Sequence, residues 1–159
     1  MSEETVIEGA AAPDFELEAT RDGKVRLSDL RGKLVVLYFY PRDDTPGCTQ
    51  EGQEFRDRYP QFQELGAEVL GISRDSLASH EKFAAKQEFP FPLLADPDEA
   101  VCNAYGVMKE KNMYGKKVWS VERSTFVIDA DGVIRHAHRK VKVDGHVDQV
   151  LEEVRGLAG

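Results

Sequence analysis

Cysteine is scarce in this chain: two residues in 159, Cys48 and Cys102. Two thiols do not make the disulfide framework that staples small secreted domains, and a chain of this length can bury a core without one. Positive charge is also short, with 21 Lys and Arg against 29 Asp and Glu, a net charge of −8. That balance argues against nucleic acid or an anionic membrane as the main partner, since both require a cationic footprint. No apolar run approaches the ~20 residues of a membrane span. Met1-Ser2-Glu3-Glu4-Thr5-Val6 has neither the basic start nor the apolar core of a signal peptide, so a reducing cytoplasm is the expected compartment. No internal repeat, low-complexity segment or long linker divides the chain. With 41% hydrophobic and 31% charged residues, one globular domain over residues 1–159 is expected.

Against that background the setting of Cys48 stands out. Residues 34–40, Leu-Val-Val-Leu-Tyr-Phe-Tyr, read as a buried strand. Pro41-Arg42-Asp43-Asp44-Thr45-Pro46-Gly47 follows, and beyond it Phe55, Tyr59, Phe62 and Leu65 recur at helical spacing. The thiol therefore falls on a strand–loop–helix junction, in the first turn of the helix. There the unpaired N–H groups and the helix dipole favour an anion over a neutral group, which is where a reactive cysteine is placed. Thr45 can bring a hydroxyl beside the sulfur, to donate to the thiolate or to orient a bound oxygen. Pro41 and Pro46 stiffen the loop, and Gly47 allows close backbone approach. A nearby cation is also needed, and Arg123, directly before the expected strand Ser124-Thr125-Phe126-Val127-Ile128, is the best candidate. Cys102 neighbours Val101 and Tyr105 in a short amphipathic segment and reads as inert packing.

The remaining signals order the elements. Residues 15–17 and 25–27 bracket Asp22-Gly23 as a small hairpin, and residues 68–73 form a second core strand. The Cys48 helix runs to about Leu65, with Pro60 expected to bend or interrupt it, and Gly66 stops it. Asp75 or Ser76 caps a helix reaching about Gln87, Leu93-Leu94 is a short extended piece, and a short helix follows Asp96. Residues 125–129 and 133–139 flank Ala130-Asp131-Gly132 as a hairpin. Val147, Val150, Leu151 and Val154 give a last helix one apolar stripe. Lys109, Lys111, Lys116 and Lys117 read as a basic loop, a solvated face that could steer an acidic partner. His80, His136, His138 and His146 lack a recognisable ligand spacing and are expected to be solvated, with no metal bound. This order predicts an α/β fold, a central mixed sheet flanked by helices in the thioredoxin-like arrangement, with inserted segments.

The run Pro41-x-x-x-Thr45-x-x-Cys48 resembles the active-site signature of the peroxiredoxins. Thr45-Pro46-Gly47-Cys48-Thr49-x-Glu51 is similar to their bacterioferritin comigratory protein, or peroxiredoxin Q, branch. Phe91-Pro92-Leu93-Leu94-Ala95-Asp96, Lys109-Glu110-Lys111-Asn112-Met113-Tyr114-Gly115 and Glu122-Arg123-Ser124-Thr125-Phe126 extend the likeness over nearly the whole chain. The resemblance implies a thioredoxin-like fold with the peroxiredoxin N-terminal hairpin. It implies a thiol peroxidase acting on hydrogen peroxide and organic hydroperoxides, with no cofactor and with thioredoxin, glutaredoxin or a small thiol as reductant. Cys48 would be the peroxidatic thiolate, Thr45 and Arg123 would hold it and stabilise charge along the O–O bond, and Pro41 would shield it. A monomer is the expected state.

The likeness breaks at the resolving cysteine. The two positions where members of the branch carry one are Gln53 and Ala84 here. Either an external thiol recycles the Cys48 sulfenic acid, which is the favoured reading, or Cys102 resolves it. Glu51 stands where a Cys-x-x-Cys oxidoreductase would need its second thiol. The main alternative to an enzyme is a redox sensor or binding module that signals through oxidised Cys48. Gly52 is read as lying in the first turn of the Cys48 helix, easing fraying that exposes the sulfenic acid.

Overall fold

In the computed structural model, which describes residues 6–21 and 23–158, residues 34–40 supply the central strand β3. The elements run β1 (Glu16–Ala19), β2 (Gly23–Arg26), β3 (Leu34–Phe39), α1 (Pro46–Glu64), β4 (Ala67–Ser73), α2 (Leu77–Gln87) and β5 (Leu93–Ala95). They continue as α3 (Ala100–Ala104), β6 (Met108–Met113), β7 (Lys116–Val121), β8 (Ser124–Ile128), β9 (Ile134–His138) and α4 (His146–Ala158). Seven strands form one sheet in the order β2-β1-β5-β4-β3-β8-β9. β3, β4 and β5 are parallel, and the remaining pairings are antiparallel. This is the mixed sheet with flanking helices expected from the element order. The first hairpin forms as β1 and β2, although Asp22 of its turn lies outside the described residues.

β3 is hydrogen-bonded to β4 on one side and β8 on the other, and all six of its residues are buried. A strand covered on both faces has no reason to alternate polar and apolar, which explains its unbroken run. Its side chains still alternate in direction. Leu34, Val36 and Tyr38 enter the core beneath α1, α2 and α4, which also contains Cys48. Val35, Leu37 and Phe39 enter the opposite core, which contains Cys102 and Tyr105. The sheet therefore stands between the two thiols.

α1 is not interrupted by Pro60: it continues to Glu64, and Gly66 ends it in the left-handed region at φ +74°. Gly52 falls in the second turn rather than the first, and a Cβ there would lie 2.3 Å from Phe89 Cζ. Its glycine is explained by the close approach of a ring, not by fraying. Gly52→Ala is expected to lower stability by about 1–3 kcal/mol through overpacking, outweighing the ~1 kcal/mol that alanine gains in helix propensity. Urea unfolding checks this, and a stabilised variant would contradict it.

The stretch read as a basic loop is instead the ribbon β6–β7, a separate two-stranded sheet. Tyr114 and Gly115 join its strands with φ values of +53° and +81°, the type I′ pattern of a two-residue hairpin. A tyrosine at the first turn position, where asparagine or aspartate is the usual signal, hid this turn in the sequence.

Candidate active site

The strand–loop–helix junction that carries Cys48 lies at the carboxyl end of β3, where open α/β sheets place their sites. Thr45 is the residue before α1, with an extended backbone at φ −104° and ψ 155°, and Pro46 opens the helix. Cys48 is the third helical residue and is 2% exposed. No side chain caps the helix, and Thr45 Oγ1 instead donates to the Arg42 carbonyl at 2.9 Å. The first-turn N–H groups thus keep their preference for an anion at this end. The Thr45 proton is committed to that carbonyl rather than to the sulfur, and its lone pairs remain to accept a hydrogen bond.

The cation arrives from 75 residues away in sequence. Arg123, in the link between β7 and β8, donates through Nη2 to Cys48 Sγ at 3.4 Å and through Nη1 to Glu51 Oε1 at 2.7 Å. Gly47 makes room for it: a Cβ at that position would lie 3.0 Å from Arg123 Nη2. Burial works against the Arg123 charge, but the anions of Glu51 and Cys48 outweigh it and raise its pKa. A guanidinium suits this task because its fixed fork serves two partners at once. Pro41 is half-buried at the start of the loop.

Glu51 is the site residue that the sequence reading did not assign. It follows Cys48 by three residues, hence on the same helix face, and that spacing is the signal that could have found it. Its side chain is fully buried, and Oε2 has no hydrogen-bond partner. Burial pushes its carboxyl up to about 7, against the pull of Arg123. The unfolded glutamate releases its proton near 4.5, so between these values the folded state binds more protons. The contribution of Glu51 to stability therefore falls as pH rises through this window, by at most about 3 kcal/mol. His146 acts in the opposite sense: burial lowers it to about 4, so its contribution is lost as pH falls from 6.5 toward 4. Urea unfolding of wild type and Glu51→Gln from pH 4.5 to 7.5 isolates the first effect. Wild type should lose stability relative to the variant as pH rises, and parallel curves would contradict the assignment.

Cys102 is fully buried, and its pKa is pushed far up by burial and by the adjacent Asp96 carboxylate. Asp96 also accepts the Val101 and Cys102 N–H groups at 3.2 and 2.7 Å. With the sheet between it and Cys48, this thiol belongs to the packing of the opposite core.

The histidines depart from the solvated state expected of them. His80 is enclosed beside Asp43, and His146 is buried with Nε2 2.8 Å from Thr125 Oγ1. His138 pairs with Glu153 at 2.8 Å, and His136 lies 3.7 Å from the same carboxylate. Among the described residues, Asp43, Asp75 and His80 bring possible metal-ligand atoms together. Hydrogen bonds among these residues and to Ser79 and Ser73 already engage them.

A family model described as the AhpC/TSA family matches residues 9–137. The chain belongs to the AhpC/TSA family. Within it, the chain is 50% identical over 149 residues to peroxiredoxin Bcp of Xanthomonas campestris, covering 94% of this chain and 93% of that one. It is 44% identical to peroxiredoxin Bcp of Bacillus subtilis over 154 residues, 97% of this chain and 98% of the relative. Among solved structures it matches Xanthomonas campestris peroxiredoxin Q with a TM-score of 0.87 at 49% identity, covering 91% and 92% of the two chains. Peroxidoxin BcpB of Mycobacterium tuberculosis matches at 0.84 and 37% identity, covering 96% and 98%. A further matching structure is that of the Xanthomonas campestris bacterioferritin comigratory protein, a protein with alkyl peroxide reduction activity. The thioredoxin-like peroxiredoxin fold, the Bcp and peroxiredoxin Q likeness and the thiol-peroxidase reading of the sequence all stand with these AhpC/TSA relatives.

Proposed function

We propose that the chain reduces hydrogen peroxide and organic hydroperoxides through Cys48. The observation that carries this reading is the Arg123 guanidinium shared between Cys48 Sγ and the buried Glu51. A fixed cation beside the sulfur favours the thiolate and needs no reorganisation when charge develops along the peroxide bond. The thiolate attacks one peroxide oxygen, the S–O bond forms and the O–O bond breaks. The distal oxygen leaves with the electron pair, takes a proton and departs as water or an alcohol. Thr45 accepts from the peroxide hydroxyl, and Pro41 screens the sulfur. Cys48 is left as a sulfenic acid, two electrons more oxidised, and a second peroxide would drive it to the sulfinic acid.

An external thiol then attacks the sulfenic sulfur and expels water, giving a mixed disulfide. A second external thiol cleaves that disulfide, restoring Cys48 and releasing the oxidised reductant. The placement of Cys102 in the opposite core supports this one-cysteine cycle over an internal disulfide. Thioredoxin, glutaredoxin or a small thiol supplies the electrons. We assign the chain to a reducing cytoplasm, in keeping with its two unpaired thiols, and expect it to act as a monomer.

Peroxide consumption with excess dithiothreitol, using hydrogen peroxide and cumene hydroperoxide, tests the proposal. Sustained turnover supports the peroxidase. Consumption of one equivalent followed by arrest would mark a redox sensor instead.

A further inference from the structure

Four hydrogen bonds converge on one buried residue of the catalytic loop, and none of them touches Cys48. Asp43 Oδ1 accepts from Tyr40 Oη at 2.6 Å, and Oδ2 accepts from Ser79 Oγ at 2.8 Å. His80 Nδ1 lies 2.7 Å from Asp43 Oδ2, with Tyr40 Oη 3.4 Å away, and the Asp43 N–H donates to Asp75 Oδ2 at 2.9 Å. The other ring nitrogen of His80, a fully buried residue, is 2.9 Å from the Leu94 carbonyl. A carbonyl oxygen only accepts, so Nε2 carries a hydrogen. The short contact from Nδ1 to Oδ2 therefore needs one further proton, which one of the two atoms supplies to the other.

This arrangement ties the loop to α2, which carries Ser79 and His80. It also fixes the peptide group joining Arg42 to Asp43 at both ends. The N–H of that peptide is held by Asp75, and its carbonyl accepts the Thr45 hydroxyl proton. Wherever this peptide plane points, the Thr45 hydroxyl must follow. The next residue, Asp44, takes a left-handed backbone at φ +59°, so the turn into Thr45 relies on its surroundings to hold it.

We propose that Asp43 and His80 are a positioning pair for peroxide reduction: by clamping the loop to α2, they aim the Thr45 hydroxyl at the oxygen that Cys48 attacks. This rests on the peroxidase reading above. The pair acts on the substrate through Thr45, while Arg123 reaches the sulfur from a different element. The pair therefore governs the peroxide reaction specifically and not the general reactivity of the thiolate.

Two substitutions at His80 separate its two hydrogen bonds. In His80→Asn the amide can replace Nδ1 and keep the bond to Asp43, whereas in His80→Gln it can replace Nε2 and keep the bond to Leu94. The rates at which Cys48 reacts with hydrogen peroxide and with iodoacetamide are measured for the full chain, alongside thermal unfolding. His80→Gln should lower the peroxide rate roughly 10- to 100-fold while iodoacetamide changes less than about threefold, as a misplaced substrate contact predicts. His80→Asn should retain both rates within about threefold of wild type. Asp43→Asn, which keeps the size of the side chain, provides a second route to the same selective loss should His80→Gln fail to fold.

Equal loss in both His80 variants, peroxide rates that follow Tm, or a parallel fall with iodoacetamide would overturn the proposal. A wild-type chain that alkylates at Cys48 but ignores peroxide would sink the peroxidase reading itself, and the role of the pair with it.

Discussion

Cys48→Ser is expected to lower peroxide consumption by at least about a thousandfold, because a serine hydroxyl remains un-ionised near neutral pH and is a far weaker nucleophile than a thiolate. The substitution keeps the size of the side chain, so α1 and the Arg123–Glu51 pair should stay in place and Tm should move by only a few degrees, about the effect of 1 kcal/mol. Cys102 offers no substitute, being enclosed in the core across the sheet with its thiol held protonated by burial and Asp96. Peroxide consumption with excess dithiothreitol reads the rate. A variant retaining a tenth or more of wild-type activity, on the order of 1 kcal/mol of barrier, would place the chemistry on another group.

Arg123→Met should produce the second largest loss, roughly 10²- to 10³-fold in the rate of Cys48 oxidation, the scale expected when a preorganised electrostatic donor is removed. Its stability cost has a different origin. The substitution leaves Glu51 buried without its partner, and breaking a buried pair in this way costs about 3–5 kcal/mol. Glu51 can limit that cost by keeping its proton, so the loss should be smaller at pH 5.5 than at pH 8, on either side of its value of about 7. Adding Glu51→Gln to Arg123→Met removes the orphaned charge and should recover much of the stability but none of the rate. If the double variant regains activity, the contribution of Arg123 is to packing rather than to the charge at the sulfur. Stopped-flow oxidation and urea unfolding of the wild type, Arg123→Met, Glu51→Gln and the double variant separate the two effects.

The parts of the fold and site legible in the sequence are those carried by local signals. The run 34–40, the loop prolines and the helical spacing after Cys48 mark a strand, a turn and a helix without any long-range information, and they place the thiol. Ser76 as a helix cap was legible for the same reason, and its side chain does accept from the Ser79 N–H. What the sequence did not disclose depends on pairing across space. The β6–β7 ribbon is charged and solvent-facing, with Tyr114 fully exposed and Trp119 61% exposed, so no hydrophobic alternation announced its strands. His80 looks like a polar helix residue until β5 and the catalytic loop close over it. The Thr45 hydroxyl bonds locally to the Arg42 carbonyl, but the hold of Asp75 on the Asp43 N–H in the same peptide group spans 32 residues, which no spacing rule could reveal. Gly52 was open to a propensity argument, but the ring of Phe89, just beyond the C-terminal end of α2, decides its identity.

Intact mass after one equivalent of hydrogen peroxide, with a sulfenic-acid trap present and peptides mapped, tests most directly whether Cys48 alone carries the oxidised state. A single trapped adduct on Cys48 within seconds, with Cys102 unmodified, is the expected result. Loss of two hydrogens mapped to a Cys48–Cys102 bridge within one chain, or an unmodified Cys48, would contradict it.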